Sequence, residues 1–312
     1  MKRSRILCIG VVLVVSICLG QRTSLAALPQ GYKIEVLGGQ ATAINNRGDI
    51  AFSPDRAINN LGQTVGRVDE QTIQTGINDT GQVCGYRVVL DGTNWNEHSF
   101  FWEGGVATDL GVGDAYGINN SGQVVGLAGS GAMFRWQKGR GFLGFGQGLP
   151  GADGLPRAIN DLGQVVGECP SALGFGRGFL WTNSTDDWHT DMGQIIDLGM
   201  PFGADEVDPR DINNVGQVVG EYRGQQLGGS WHAFLWENGT FVDLQSYLPL
   251  DSDPQPYRAM GINDSGQIVG VLYGGGSFIM TPTPEPATLS LLALGAVALC
   301  RRRIVGFRVP AG

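Results

Sequence analysis

Apolar and polar positions along this chain fall into a pattern that returns seven times. At 117–126, GINNSGQVVG runs apolar, then polar, then apolar again; near-copies stand at 43–52, 57–66, 76–85, 158–167, 211–220 and 261–270. A short apolar stretch, an Asn-x-x-Gly centre and a β-branched stretch predict two strands joined by a tight turn. In the copy at 117–126, Ile118 ends the first strand and Asn119 opens the turn, its side chain placed to bond a backbone amide ahead. Gly122 takes the positive φ of a type I turn closed by a G1 bulge, and Gln123-Val124-Val125 begins the return strand. The same turn roles fall to Asn160 and Gly163, to Asn213 and Gly216, and to Asn263 and Gly266.

A second hairpin follows most copies. The segments 98–111, 132–146, 178–199 and 232–245 share Phe-x-Trp, a turn and an apolar strand. Residues two apart lie on one face of a strand, so Phe100/Trp102, Phe134/Trp136, Phe179/Trp181 and Phe234/Trp236 are expected in a buried layer between units. Two hairpins per unit give an all-β fold: a β-propeller of four-stranded antiparallel blades. Five units begin at Ile77, Ile118, Ile159, Ile212 and Ile262, and the close copies at Ile44 and Ile58 together make one compact blade. The expected count is therefore six, with five and seven as alternatives and an open β-solenoid as the rival architecture. The last unit lacks a fourth strand; YKIEVLGG (32–39) resembles the unit-ending VATDLG and is expected to supply it, closing the ring.

The two ends break the pattern and predict separate hydrophobic helices. Lys2, Arg3 and Arg5 precede an apolar run from Ile6 to Gly20, then Ser24-Leu25-Ala26, so residues 1–26 read as a signal peptide cut after Ala26 by signal peptidase. Near the other end stand Pro284-Glu285-Pro286, an apolar stretch from Ala287 to Cys300, and Arg301, Arg302 and Arg303. The stretch is shorter than the roughly 20 residues of a spanning helix. Snorkelling arginines shorten that gap and favour the cytoplasmic side. Residues 282–303 resemble the PEP-CTERM sorting signal of Gram-negative bacteria. The resemblance implies transient anchoring in the inner membrane, cleavage near Pro-Glu-Pro by an exosortase, and delivery to the cell surface or the exopolysaccharide matrix. Residues 304–312 continue as a basic and apolar tail, leaving 27–281 as the body. That body, with GINNxGQVVG followed by His232-Ala233-Phe234-Leu235-Trp236 and the looser His98-Ser99-Phe100-Phe101-Trp102, resembles the HAF-repeat family of exported bacterial proteins. This second resemblance implies a repeat architecture in an extracellular setting and brings no activity with it.

Composition narrows the partners. Hydrophobic residues make up 42% of the 312, enough for a core, and 51 glycines fit many turns. The excluded ends hold eight of the 21 basic residues and one of the 29 acidic ones, so the body carries a net charge of roughly −15. Such a field repels nucleic acid and anionic headgroups and suits neutral sugars or divalent cations. Cys84 and Cys169 are the body's cysteines; a whole unit separates their strands, so two separate thiols are expected.

Candidate chemistry is sparse. His98 and His232 recur at matching repeat positions and read as framework. Asp186, Asp187, His189 and Asp191 share one loop and form the candidate metal set, although their spacing fits no EF-hand or zinc motif and a solvated acidic loop is the favoured reading. No cofactor is expected beyond calcium at that loop. No nucleophile elbow stands at a strand-to-helix turn, and there is no phosphate-binding Gly loop. Asp205, Glu206, Asp208, Asp251 and Asp253 fall between units, and Trp95, Trp188 and Trp231 are the unrepeated tryptophans. The reading is an exported surface or matrix protein, a non-catalytic binding or structural module for a polysaccharide or a surface protein. The alternative is a hydrolase or lyase acting on polysaccharide through acidic loop residues.

Overall fold

The computed structural model describes residues 31–145, 154–170, 176–183, 193–248 and 255–283. They form strands joined by turns, with two short 3-10 turns at Gln225–Leu227 and Leu244–Tyr247. The strands are β1 (Tyr32–Leu37), β2 (Ala41–Ile44), β3 (Ile50–Phe52), β4 (Asp55–Ile58), β5 (Thr64–Gly66), β6 (Thr72–Ile77), β7 (Val83–Asp91), β8 (Asn94–Glu103) and β9 (Val106–Ile118). Then come β10 (Gln123–Ala128), β11 (Met133–Gln137), β12 (Gly141–Gly144), β13 (Leu155–Ile159), β14 (Val165–Pro170), β15 (Gly176–Thr182) and β16 (Gln194–Asp197). The remainder are β17 (Glu206–Ile212), β18 (Val218–Arg223), β19 (Trp231–Glu237), β20 (Thr240–Asp243), β21 (Pro256–Ile262), β22 (Ile268–Leu272) and β23 (Ser277–Pro282).

Among the described residues all pairing is antiparallel. Strands β13–β16 and β17–β20 form two four-stranded sheets, and β6–β12 form a seven-stranded one in sequence order. The long β9 serves two units in that sheet. Its first half pairs with β8 and its second half with β10. It turns between them at Gly113, whose φ of 136° and a backbone oxygen 2.0 Å from any Cβ admit no other residue. The sheet of β21–β23 takes its fourth strand from the other end of the body: β1 pairs with β23 from Tyr32↔Pro282 to Leu37↔Ser277.

The repeated corner explains its own sequence. Asn119 Oδ1 accepts from the backbone N–H of Ser121 (3.1 Å) and Gln123 (3.0 Å), which fixes the turn. Its Nδ2 donates to Gln123 Oε1 (2.8 Å) and to the Asn160 carbonyl of the next repeat (3.0 Å). Only an amide side chain does both. The inter-repeat bond recurs from Asn45 to Asn59 (2.8 Å), Asn59 to Asn78 (2.9 Å), Asn78 to Asn119, Asn160 to Asn213 and Asn213 to Asn263. Asn263 then donates to Asn45 at 3.0 Å. Seven corners thus close a ring, not an open stack.

The ring corrects the expected count of six. The copies at Ile44 and Ile58 do not pair into one unit: β2–β3 and β4–β5 are separate two-stranded sheets, each with its own corner. Only Ser53 and Pro54 separate β3 from β4, too few residues for an outer hairpin. The two hydrophobic terminal segments lie outside the described residues.

The core forms between neighbouring sheets. The Gly that ends GQVVG makes room for it: a Cβ on Gly126 would sit 2.1 Å from the Asp114 carbonyl and 2.8 Å from the Phe134 ring, and Gly85, Gly167 and Gly270 repeat the arrangement. The Phe-x-Trp residues are buried, apart from a half-buried Trp102. Cys84 and Cys169 are buried free thiols, and burial pushes the Cys84 thiol up to about 12.

Candidate functional site

The inner strand of every hairpin, β2, β4, β6, the second half of β9, β13, β17 and β21, lines one central cavity of about 760 Å³. At one mouth stands a polar belt built by the residue after each corner Asn: Asn46, Asn60, Asp79, Asn120, Asp161, Asn214 and Asp264. Each belt residue's backbone N–H donates to the Oδ1 of the next at 2.7–2.8 Å, and Asp264 donates to Asn46, closing a second ring. The three carboxylates are spaced by amides. Asp79 Oδ2 accepts from Asn60 (2.8 Å) and Asn120 (3.0 Å), Asp161 Oδ2 from Asn120 (3.0 Å) and Asn214 (3.2 Å), and Asp264 Oδ2 from Asn214 (3.0 Å) and Asn46 (2.8 Å).

Deeper in, the residue two before each corner Ile faces the cavity: Thr42, Arg56, Thr75, Tyr116, Arg157, Arg210 and Met260. Arg157 and Arg210 belong to a ribbon of alternating charge across three units. Arg157 pairs with Glu168 (2.6 Å) and Asp208 (3.3 Å), Arg210 with Asp208 (2.6 Å) and Glu221 (2.7 Å), and Arg258 with Glu221. Burial pushes the Asp208 carboxyl up to about 6 although Arg210 and Arg157 pull it down. One step nearer the corner the other repeats carry only Ala or Gly, but β17 carries Asp211. Its carboxylate accepts from the backbone N–H of Ile212 and Ile262, both at 2.9 Å, and burial pushes it up to about 7. Asp114 is likewise raised to about 6 by burial and by the neighbouring Glu97, and accepts the Tyr116 hydroxyl at 3.2 Å.

The residues singled out in the sequence fall elsewhere. His98 contacts Asp109 (3.2 Å) and His232 contacts Asp243 (3.2 Å) at matching places, and Arg177 with Asp197 (2.7 Å) replaces the pair in the unit that begins at Ile159. Asp205 accepts from the Gln225 backbone and Glu206 pairs with Arg223 (2.7 Å), while Asp208 is the buried ribbon member. Trp95 is exposed, and Trp231 lies under the Arg223 guanidinium at 4.5 Å. Trp188, Asp251, Asp253, the loop acids Asp186, Asp187 and Asp191 with His189, Ala26, Pro284, Glu285, Pro286 and Arg301–Arg303 lie outside the described residues. Among the described residues no group of three His, Cys, Asp or Glu side chains is arranged to hold a metal ion. The cavity arginines went unnoticed in the sequence. The signal for them was there: Arg-Ala-Ile-Asn at 56–59 and 157–160, and Arg-Asp-Ile-Asn at 210–213.

Residues 282–304 match the PEP-CTERM protein-sorting motif, which implies export, exosortase processing and association with the cell surface. No curated protein matches the chain in sequence. Among solved structures, the chain is similar to a virginiamycin B lyase from Staphylococcus aureus (11% identity, 80% of this chain and 99% of that one, TM-score 0.48). It is also similar to a streptogramin B lyase (12%, 82% and 99%, 0.40) and to a prolyl endopeptidase (9%, 81% and 43%, 0.43).

Proposed function

We propose that the chain is a non-catalytic binding module of the cell surface or the exopolysaccharide matrix, with residues 27–281 forming a seven-bladed β-propeller in which two blades are reduced to single hairpins. Signal peptidase removes residues 1–26, and an exosortase acts at 282–303 with Pro284-Glu285-Pro286 and Arg301–Arg303 as its recognition elements. The cavity takes a polysaccharide or a segment of a surface protein. The observation that carries this reading is how the acids of the belt are used. Asp79, Asp161 and Asp264 are all occupied as hydrogen-bond acceptors within the ring, which suits a rigid wall more than acid–base turnover.

One observation favours the second reading, a polysaccharide hydrolase or lyase. Asp114, raised to about 6 beside Glu97 and Tyr116, is a carboxyl poised near neutral pH. A glycan panel presented to the full exported chain, with and without calcium, separates the two. Retention of a glycan without change in its mass supports the module. Cleavage that is lost in Asp114→Asn supports the enzyme, and neither binding nor turnover leaves a purely structural matrix role.

A further inference from the structure

Two positions in each hairpin face one another across the inner edge of the ring. One is the residue two before the corner Ile, which sits in the bulge of the inner strand; the other follows the Gly of the return strand. In β13–β14 the bulge lies between Pro156↔Gly167 and Ala158↔Val166, and these positions hold Arg157 and Glu168, paired at 2.6 Å. In β17–β18 they hold Arg210 and Glu221, paired at 2.7 Å.

In β4–β5 the register is the same, Asp55↔Gly66 then Ala57↔Val65, but the two positions hold Arg56 and Arg67. Both line the cavity. Among the described residues neither guanidinium has an ion pair or a side-chain hydrogen bond. Asp55 lines the same cavity without pairing to either. Asp69, which feels Arg67, is held by the backbone N–H groups of Gln71 (2.8 Å) and Thr72 (2.6 Å). The next hairpin carries Tyr86 at the post-Gly position, where burial, Asp114 and Glu97 push its hydroxyl up while Arg56 and Arg67 pull it down. Two like charges therefore stand where sister repeats place a neutralised pair, next to a phenol. Two guanidiniums set on these two positions of one hairpin are suited to a bridging carboxylate.

We infer that Arg56 and Arg67 form a binding site for the carboxylate of a uronic-acid sugar, inside the cavity and opposite the compensated arginines. This rests on the polysaccharide-binding reading and names its ligand class. The body's net negative charge acts at long range and is screened beyond about 8 Å at physiological salt, whereas the contact is local.

The test is calorimetric titration of the full exported chain with an oligogalacturonate, a sulfated neutral oligosaccharide and a neutral oligosaccharide of equal length. The oligogalacturonate is expected to bind at least roughly tenfold more tightly than either other ligand. Arg56→Gln should lose roughly that factor, while Arg87→Gln, an exposed arginine outside the cavity, should not. Arg67→Glu rebuilds the pair seen in the sister repeats; it should fold with an unfolding temperature at or above that of the parent and bind no oligogalacturonate. Equal binding of the neutral oligosaccharide, unaffected by Arg56→Gln, overturns the carboxylate site and leaves the polysaccharide module standing. Preference for the sulfated ligand, or full binding by a folded Arg67→Glu protein, also overturns the site. Binding of none of the three overturns both.

Discussion

The bare hairpins β2–β5 and the full units β13–β20 share one corner and differ in what lies outside it. Asn45 and Asn160 make the same bonds, each donating to its own turn (2.9 and 2.7 Å) and to the carbonyl of the next repeat (2.8 and 3.0 Å). Outward from the corner the full units bury Phe179, Trp181, Phe234 and Trp236, whereas Phe52 of the bare hairpins stays exposed. The bare hairpins borrow their core: Ala41 and Ile44 pack on Val269 of β22, and Val65 packs on Val83 and Phe100. Closing the ring is thus the work of the corner, and depth of core is the work of the outer hairpin.

The sharpest way to break this comparison is to empty the core of a full unit. Trp181 is fully buried, 5.3 Å from the Phe145 ring, and Trp181→Ala is expected to cost about 3–5 kcal/mol in chemical denaturation. Next comes the ion ribbon, which the bare sector lacks. Glu221 is fully buried between Arg210 and Arg258, so Glu221→Gln leaves two guanidiniums undercompensated and is expected to cost about 3 kcal/mol. The corners sharpen the comparison. Asn160→Ala and Asn45→Ala each remove one turn cap and one inter-repeat bond, and both are expected to cost about 2 kcal/mol. A much cheaper Asn45→Ala would mean that the bare sector is not held by its corner.

A further effect comes from pH. Burial holds the Asp211 carboxyl up at about 7 in the folded state against 3.8 for a free carboxyl, so the folded state keeps this proton longer than the unfolded chain. Its contribution is complete below about pH 4 and is lost as pH rises through 7. In Asp211→Asn that loss is absent, so the variant's stability relative to the parent should climb from pH 4 to pH 8 in urea titrations. Bare hairpins carry Ala43 and Ala57 at this place and offer no such group. The smallest change is expected from Phe52→Ala, within about 0.5 kcal/mol, because its ring is already exposed.

The corner was legible because it repeats: Asn119 and Gly122 carry backbone roles that residue type alone dictates. The closing strand was legible from YKIEVLGG, and the separate thiols from the spacing of Cys84 and Cys169. The ring number was not. It depends on whether the hairpins at Ile44 and Ile58 pair with each other, a tertiary choice that their local pattern does not encode. The cavity arginines were hidden for a different reason. Arg56, Arg157 and Arg210 are spelled alike, and only the post-Gly partner, Arg67 against Glu168 and Glu221, distinguishes a free charge from a neutralised one.

Ring closure is tested most directly by cross-linking across the seam. Lys33 and Thr281 are direct partners in β1 and β23, and antiparallel partners lie within disulfide reach. A Lys33→Cys, Thr281→Cys protein otherwise free of cysteine should oxidise to an intramolecular disulfide and gain thermal stability. A Lys33→Cys, Thr240→Cys control, reaching to another sheet, should do neither. If the seam pair stays reduced, or cross-links no faster than the control, the chain does not close through β1 and the ring described here is contradicted.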